Sequence, residues 1–379
     1  MKKSKQALKQ KTDSDYMKMA LGLARRGQGN TWPNPSVGCV IVNKAGHVIG
    51  RGHTGSGGRP HGETAALAQS GRAAMGATAY ITLEPCAHHG KTPPCAEALV
   101  MAGISRVVVA ITDPDDRTSG KGIEILRNAA VQVDLGVCQT EAKAVNSGFF
   151  KRIIENKPFV TMKIAASLDG MIAPASGREK ASARKKWITG PESRQRGHLL
   201  RANHDGILVG IGTILADNPS LDCRLPGLEN RSPVRLILDS HLRIPEDCTV
   251  VDTAKNQPTW IITGPGNDQK KAQLENKSVH IICCNMNEAG QIDLENMMTL
   301  LAAKGLTRIL SEGGAQVNAS LIRASLVDRL YWFRSTDIIG DDGLPALHSI
   351  GLTELEKRPN FSLIRTGRTG NDIWQEFMI

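Results

Sequence analysis

The sequence predicts an α/β protein of two domains: a three-layer αβα domain at the N-terminus, followed by a second α/β domain. Three observations carry this. A chain of 379 residues is too long for one small domain and suits two. Short runs rich in β-branched residues alternate with segments whose apolar residues recur at helical spacing. The composition shifts near "FFKRIIENKPFV", where Lys157-Pro158 suits a linker because a residue before proline leaves the helical region. The expected division is a flexible tail over residues 1–14, a first domain over 15–152 and a second over 153–379.

The elements follow in order. From Asp15 to Arg26 the apolar residues fall on one helical face, with Ser14 or Asp13 as cap. "SVGCVIV" reads as a strand, and "NKAG" turns the chain into a second strand, "HVIGRG". After the loop "GHTGSGGRP", "HGETAALAQSG" reads as a helix closed by Gly71. "ATAYITLE" is a strand that stops before Pro85. A helix starts near Pro94, because proline suits a first helical turn. "RVVVAI" is continuously apolar, as in a strand buried on both faces. "GKGIEILRNAAVQVDLGV" supplies a helix and a last strand. Two strands followed by alternating helix and strand imply the three-layer arrangement. In the second half "FVTMKIA", "DGILVG", "VRLILD", "TWIIT", "HIICC", "RILSE" and "RLYWF" read as strands.

Composition narrows the class. Hydrophobic residues make up 40% of the chain and charged residues 22%, which is ordinary for a globular protein. The N-terminus, "MKKSKQALKQKTDSD", lacks the apolar run of a signal peptide, and no stretch approaches the roughly 18 apolar residues that span a bilayer. The expected location is the cytoplasm, with no membrane partner, where thiols stay reduced. The net charge of +10 suits phosphorylated small molecules. With aromatics at 4%, a base-stacking platform for nucleic acid is not expected. A homo-oligomer is compatible with all of this.

The chemistry concentrates in "HGE" at residues 61–63 and "LEPCAHHGKTPPC" at residues 83–95. His61, Cys86 and Cys95 offer one imidazole and two thiolates, a set that zinc accepts while keeping a fourth position for water. Zinc lowers the pKa of water to about 7, and Glu63, two residues beyond His61, is placed to move protons between that water, a ring nitrogen and departing ammonia. Taken alone, a cysteine is more often a small buried hydrophobe. Cys39, Cys138, Cys223, Cys248, Cys283 and Cys284 are read that way. His88 or His89 could close the site as a fourth ligand, but an open site needs none; shaping the pocket or meeting a phosphate is the alternative.

The H-x-E…P-C…C order is that of zinc deaminases. Here eight residues separate the cysteines, and the match to "LEPCxHxGxTPPC" resembles the diaminopyrimidine deaminases of riboflavin biosynthesis. That resemblance implies a cytidine-deaminase-like fold. "NPSVGCVIV" and "DPDDRTSGKG" resemble the same family, whose Asn-Pro segment lines the pyrimidine pocket; this makes Asn34 a substrate contact. Gly62 stands where the family usually has alanine, an expected cost of about 1 kcal/mol in helix propensity that leaves the ligands undisturbed.

In the second half no G-x-G-x-x-G joins a strand to a helix, so a Rossmann domain is not indicated. "ILSEGGAQVNASLI" gives strand, Glu312, a Gly-Gly turn and a helix, which can cradle a phosphate. With "KIAASLDGMIA", "WITGPESR" and "LLRANHDGILVGIGTILADNPSLDCR" it resembles the reductase domain that accompanies the deaminase in bifunctional riboflavin enzymes. That domain is similar to dihydrofolate reductase and uses NADPH. The resemblance places Ala165, Trp187, Thr213, Asp217, Ser240 and the turn through Gly314, Ala315, Gln316, Val317, Asn318, Ala319 and Ser320 at the cofactor. It places Arg201, Leu221, Arg224 and Glu312 at the substrate. One departure is the basic insert over residues 178–186, with Lys185 where relatives carry a small hydroxyl residue, and Ser182 as another candidate.

The resemblance thus implies a bifunctional enzyme. It would deaminate 2,5-diamino-6-(5-phosphoribosylamino)pyrimidin-4(3H)-one using zinc, then reduce the ribose of 5-amino-6-(5-phosphoribosylamino)uracil to ribityl using NADPH. Two rivals remain at this stage. One is a tRNA-editing type of deaminase, which the cysteine spacing and the reductase-like half oppose. The other is a zinc-stabilised binding protein with vestigial sites.

Overall fold

The computed structural model describes residues 11–88, 93–175 and 187–379, which divide into two compact units, Met1–Glu155 and Asn156–Ile379. His89, Ser182, Lys185 and the basic insert lie outside the described residues, as do residues 1–10 of the expected tail. Among the described residues no helix is long and apolar enough to cross a membrane.

The first unit begins at α1 (Asp13–Arg25). Its cap is Thr12, not Ser14 or Asp13: the Thr12 hydroxyl accepts from the Asp15 N–H while the Asp15 carboxylate accepts from the Thr12 N–H. This reciprocal box satisfies donors that a helix start leaves free. Residues 12–14, expected in the tail, therefore belong to this helix and its cap. Then come β1 (Gly38–Val42), β2 (Val48–His53), α2 (Gly62–Ser70), β3 (Thr78–Ile81), α3 (Cys95–Met101), β4 (Arg106–Val109), α4 (Lys121–Asn128), β5 (Gln132–Leu135), α5 (Gln139–Val145) and α6 (Ser147–Glu155). α6 runs past residue 152, so the unit closes at Glu155.

The strands form a five-stranded sheet in the order β2-β1-β3-β4-β5. β1 is antiparallel to β2 and β3, and β3, β4 and β5 are parallel. α1 packs on β1, β2 and β3 and against α5, while α2, α3 and α4 pack in succession. The sheet lies between these two helix sets, which gives the three layers. β1, "GCVIV", is buried at every residue, as its unbroken apolar run requires.

The second unit contains β6 (Phe159–Ala166), β7 (Met171–Pro174), α7 (Pro191–Ala202), β8 (Gly206–Gly210), α8 (Ile211–Asp217), β9 (Val234–Leu238), α9 (Thr249–Asp252), β10 (Thr259–Thr263), α10 (Asp268–Asn276), β11 (His280–Cys283), α11 (Leu294–Ala303), β12 (Arg308–Ser311), α12 (Ala315–Arg323), β13 (Arg329–Arg334), β14 (Gly343–Pro345), β15 (Ser362–Thr369) and β16 (Asp372–Met378). A nine-stranded sheet runs β11-β10-β9-β8-β12-β6-β13-β16-β15, and β14 pairs with β7 apart from it. The sheet is parallel from β11 to β13; β16 and β15 add to it antiparallel. The seven strands expected from sequence are present. β7, β14, β15 and β16 were not expected. β15 is largely exposed and carries arginines and a glycine, so its strand character comes from pairing with β16 rather than from an apolar pattern.

All eight cysteines are free. Cys39, Cys223, Cys248 and Cys284 are buried as expected. Cys138 is only half-buried, and Cys283, on the edge strand β11, is exposed.

Candidate active sites

In the first unit, three elements converge on one point. His61 is the residue before α2, Cys86 lies in the loop after β3, and Cys95 opens α3. Their ligand atoms all lie within 4.8 Å of one another. His61 Nδ1 is 3.2 Å from Cys95 Sγ and 3.6 Å from Cys86 Sγ. The Cys95 backbone N–H donates to Cys86 Sγ at 3.3 Å. Hydrogen bonding from the Cys95 thiol, then from His61, draws the Cys86 thiol down to about 4. Cys95 is pushed up because it keeps the proton that it shares with Cys86. Among the described residues this is the one group of three such side chains arranged to hold a metal.

Glu63 lies in the first turn of α2 and is 3% exposed. Burial pushes its carboxyl up to about 7, against the lowering effect of His61. Its Oε2 is buried without a hydrogen-bond partner. An orphaned carboxylate oxygen beside one imidazole and two sulfurs fits an open zinc site with a water beside it. Gly62 does more than lower helix propensity: a Cβ there would lie 2.7 Å from Val37 O, so an alanine would require this first turn to shift.

Asn34 lies in the loop before β1, where Nδ2 donates to Gly57 O at 3.3 Å. His88 Nδ1 is 3.5 Å from Thr118 Oγ1, so the loop between β4 and α4 reaches the cysteine turn.

Sequence reasoning missed Glu84, whose only signal was its place between an apolar strand and Pro85. It is buried. One oxygen accepts from the Asp113 and Gly120 N–H groups, the other from Gly122 and Ile123. A Cβ on Gly122 would lie 2.0 Å from Pro85 O, so only glycine allows α4 to close on this turn. Glu84→Gln turns an amide nitrogen toward two N–H donors. The expected effect is a loss of about 1–3 kcal/mol in the first unit, read as a lower urea midpoint for its transition; an unchanged midpoint would contradict it.

The second unit holds a cleft made of two cavities that share Thr213, Asp217 and Gly314 in their walls. The larger, 860 Å³, is lined by all four expected substrate residues, Arg201, Leu221, Arg224 and Glu312, and by Ala165 and Trp187. The other, 820 Å³, is lined by Ser240, Ala315, Gln316, Val317 and Ser320. Asn318 lines the larger cavity and donates to Ala346 O. Ala319 lines neither and is buried, because its position on α12 points into the core. Gly314 caps α12 without a side-chain hydrogen bond, leaving the first N–H groups for an anion such as a cofactor phosphate.

Arg201 does not stand free for a phosphate. Its Nε and Nη2 donate to both oxygens of Glu312 at 2.8 and 2.9 Å, and its Nη1 donates to Asp222 O. Lys163, a cation in the apolar strand β6 that the sequence reading left without a role, lies 4.0 Å from Glu312. Burial lowers its pKa. Burial would raise Glu312, but Arg201 and Lys163 outweigh it and hold the carboxylate at about 2. Arg224 is 58% exposed at the cavity wall and is the freer cation.

Fold and site together define a zinc-type deaminase unit followed by a nicotinamide-dependent reductase unit. Residues 10–111 match the family model of the cytidine and deoxycytidylate deaminase zinc-binding region, and residues 158–374 match that of the RibD C-terminal domain. The riboflavin biosynthesis protein RibD of Aquifex aeolicus is 39% identical over 361 residues, 95% of this chain and 97% of its own. That of Escherichia coli is 37% identical over 374 residues, 95% and 98%. Among solved structures, RibD of Acinetobacter baumannii matches with a TM-score of 0.86 at 34% identity, covering 97% of this chain and 98% of its own. The diaminohydroxyphosphoribosylaminopyrimidine deaminase/5-amino-6-(5-phosphoribosylamino)uracil reductase of Thermotoga maritima matches with 0.83 at 32%, with the same coverage. The chain belongs to the RibD family of riboflavin biosynthesis proteins. It is a bifunctional deaminase and reductase with zinc and NADPH as cofactors, acting on small phosphorylated pyrimidines.

Proposed function

We propose that the first unit hydrolyses the 2-amino group of 2,5-diamino-6-(5-phosphoribosylamino)pyrimidin-4(3H)-one. The second unit then reduces the ribose of the resulting 5-amino-6-(5-phosphoribosylamino)uracil. The observation that carries the first step is the cluster of His61, Cys86 and Cys95 beside a buried carboxylate with a free oxygen. His61, Cys86 and Cys95 hold the zinc. When bound, zinc supplies Lewis acidity that brings the pKa of water toward about 7. Glu63 takes one proton from the attacking water and gives it to the ring nitrogen; it then takes the proton of the new C2 hydroxyl and gives it to the amino group, so that the C–N bond breaks, ammonia leaves and C2 becomes a carbonyl. A carboxyl raised to about 7 suits this because it both accepts and returns a proton near neutrality. Asn34 holds the pyrimidine.

In the second unit Arg224 meets the phosphate, and Leu221 packs on the substrate. Glu312, oriented by Arg201, accepts from the ribose hydroxyls or the pyrimidine edge, and Lys163 keeps positive charge beside it. NADPH, when bound, supplies hydride for C1′. Ala165, Trp187, Thr213, Asp217, Ser240 and the turn from Gly314 to Ser320 line its place, with Ala319 acting only by packing. We place the protein in the cytoplasm, without nucleic-acid or membrane partners, and as compatible with a homo-oligomer.

The test is a coupled assay on the purified chain. Ammonia release is expected first, then NADPH consumption. Cys86→Ala is expected to lose zinc and ammonia release together while still reducing the deaminated substrate. Full zinc occupancy in that variant would remove Cys86 from the ligand set.

A further inference from the structure

Behind the reductase cavity lies a buried cation that the chemistry above does not use. Arg235 sits on β9, between β8 and β10, and is 1% exposed. Burial pulls its pKa down to about 10. Its hydrogen-bond partners are two carbonyls and a hydroxyl. Nη1 donates to Ser220 O at 3.3 Å and to Thr253 Oγ1 at 2.7 Å, and Nη2 donates to Gln257 O at 2.6 Å. Gln257 continues the clamp, its Nε2 donating to Leu221 O at 3.2 Å and to Pro233 O at 2.7 Å. Two consecutive carbonyls, those of Ser220 and Leu221, are thus gripped from the core side.

The gripped segment forms part of the cavity wall. Asn218, Pro219, Ser220, Leu221 and Arg224 line the 860 Å³ cavity. Its backbone is unusual: Asn218 has φ +41 and Leu221 φ +55, the left-handed region that residues with side chains seldom adopt. Such a shape persists only where surrounding bonds over-determine it. Arg224 Nη1 donates to Ser220 Oγ of this segment at 3.4 Å, while its Nε lies 3.7 Å from the Asp222 carboxylate and its backbone N–H donates to His198 Nδ1. A charge in the middle of a parallel sheet is costly unless its hydrogen bonds offset the burial; Arg235 Nε is buried without a partner, and the bonds that do form, from Nη1 and Nη2, go to Ser220, Thr253 and Gln257.

We infer that Arg235 and Gln257 are positioning residues for the reductase reaction, holding the Ser220 and Leu221 carbonyls so that Leu221 and Arg224 face the substrate. This rests on the reading that the larger cavity receives the phosphorylated pyrimidine. Ser240 and Gln316 line only the smaller cavity, whose wall does not include Ser220, Leu221 or Arg224, so the effect falls more on substrate than on NADPH.

The experiment measures steady-state reduction of the deaminated pyrimidine by full-length Arg235→Met, Arg235→Lys and Gln257→Leu, with ammonia release as an internal control. Arg235→Met and Gln257→Leu are expected to raise the substrate KM by about tenfold, the size set by one or two lost hydrogen bonds. The KM for NADPH and the ammonia rate should stay within twofold. Arg235→Lys should recover part of the loss. Equal rises in both KM values, or an unchanged substrate KM, would overturn the inference; if Arg235→Met does not fold, the half-buried Gln257 alone decides by the same readings. A wild-type chain that consumes no NADPH would overturn the underlying reading and the inference with it. Failure confined to the variants' kinetics would overturn the inference alone.

Discussion

Glu63→Gln is expected to lower ammonia release by about 10²–10⁴-fold while zinc content and the NADPH-linked reaction stay at wild-type levels. The carboxylate is buried in the first turn of α2, immediately beyond His61, and burial keeps its proton affinity near neutrality. Glutamine has the same shape and fills the same space, so the helix start and the three ligand side chains are not disturbed. What it lacks is an oxygen that can take a proton and return it. Because Glu63 Oε2 has no hydrogen-bond partner in the structure, the substitution breaks no contact at that atom. The measurement is ammonia release, zinc per chain and reductase rate on one preparation. A variant that retains a tenth or more of the ammonia rate would move the proton-transfer role to another group. A variant that loses zinc would make Glu63 part of the metal-holding structure instead.

Arg201→Met is expected to abolish most reductase activity and to destabilise the second unit by about 3–5 kcal/mol, because it strands a buried carboxylate. Both Glu312 oxygens accept from Arg201, and without it Lys163, at 4.0 Å, and the weaker influence of His198 are left to offset the charge. The pH dependence gives the sign. In the wild type, Glu312 is held at about 2 instead of its ordinary 4.5, so the folded state favours the ionised form. That contribution is complete above about 4.5 and disappears as pH falls through 2. In the variant, burial is no longer outweighed, and the penalty falls on the ionised form. The stability gap between the two proteins should therefore be largest above pH 4.5 and shrink in acid. Urea unfolding of both chains at pH 7 and pH 3 tests this. A gap of equal size at the two pH values would mean that lost packing, not charge, carries the effect.

Much of the fold could be read from residue order. "GCVIV" and "GILVG" are continuous apolar runs, and each is a strand buried at nearly every position. β15 could not be read that way, since an exposed edge strand such as "SLIRTGRT" has no apolar rhythm of its own. The start of α1 slipped for a local reason: three capping residues stand in a row, and only the Thr12–Asp15 geometry decides among them.

The same line divides the sites. Residue types and spacing were enough to single out His61, Glu63, Cys86 and Cys95, because zinc chemistry needs particular donor atoms and an acid beside them. Sequence placed Arg201, Leu221, Arg224 and Glu312 only by likeness, and it left Arg201 and Glu312 as separate contacts. Tertiary structure joined them into a two-bond pair and gave Lys163, Glu84 and Arg235 their partners. Those partners are backbone groups and charges far apart along the chain. A lone acid or base in an apolar run says that something must compensate its burial, but only the folded chain decides what does.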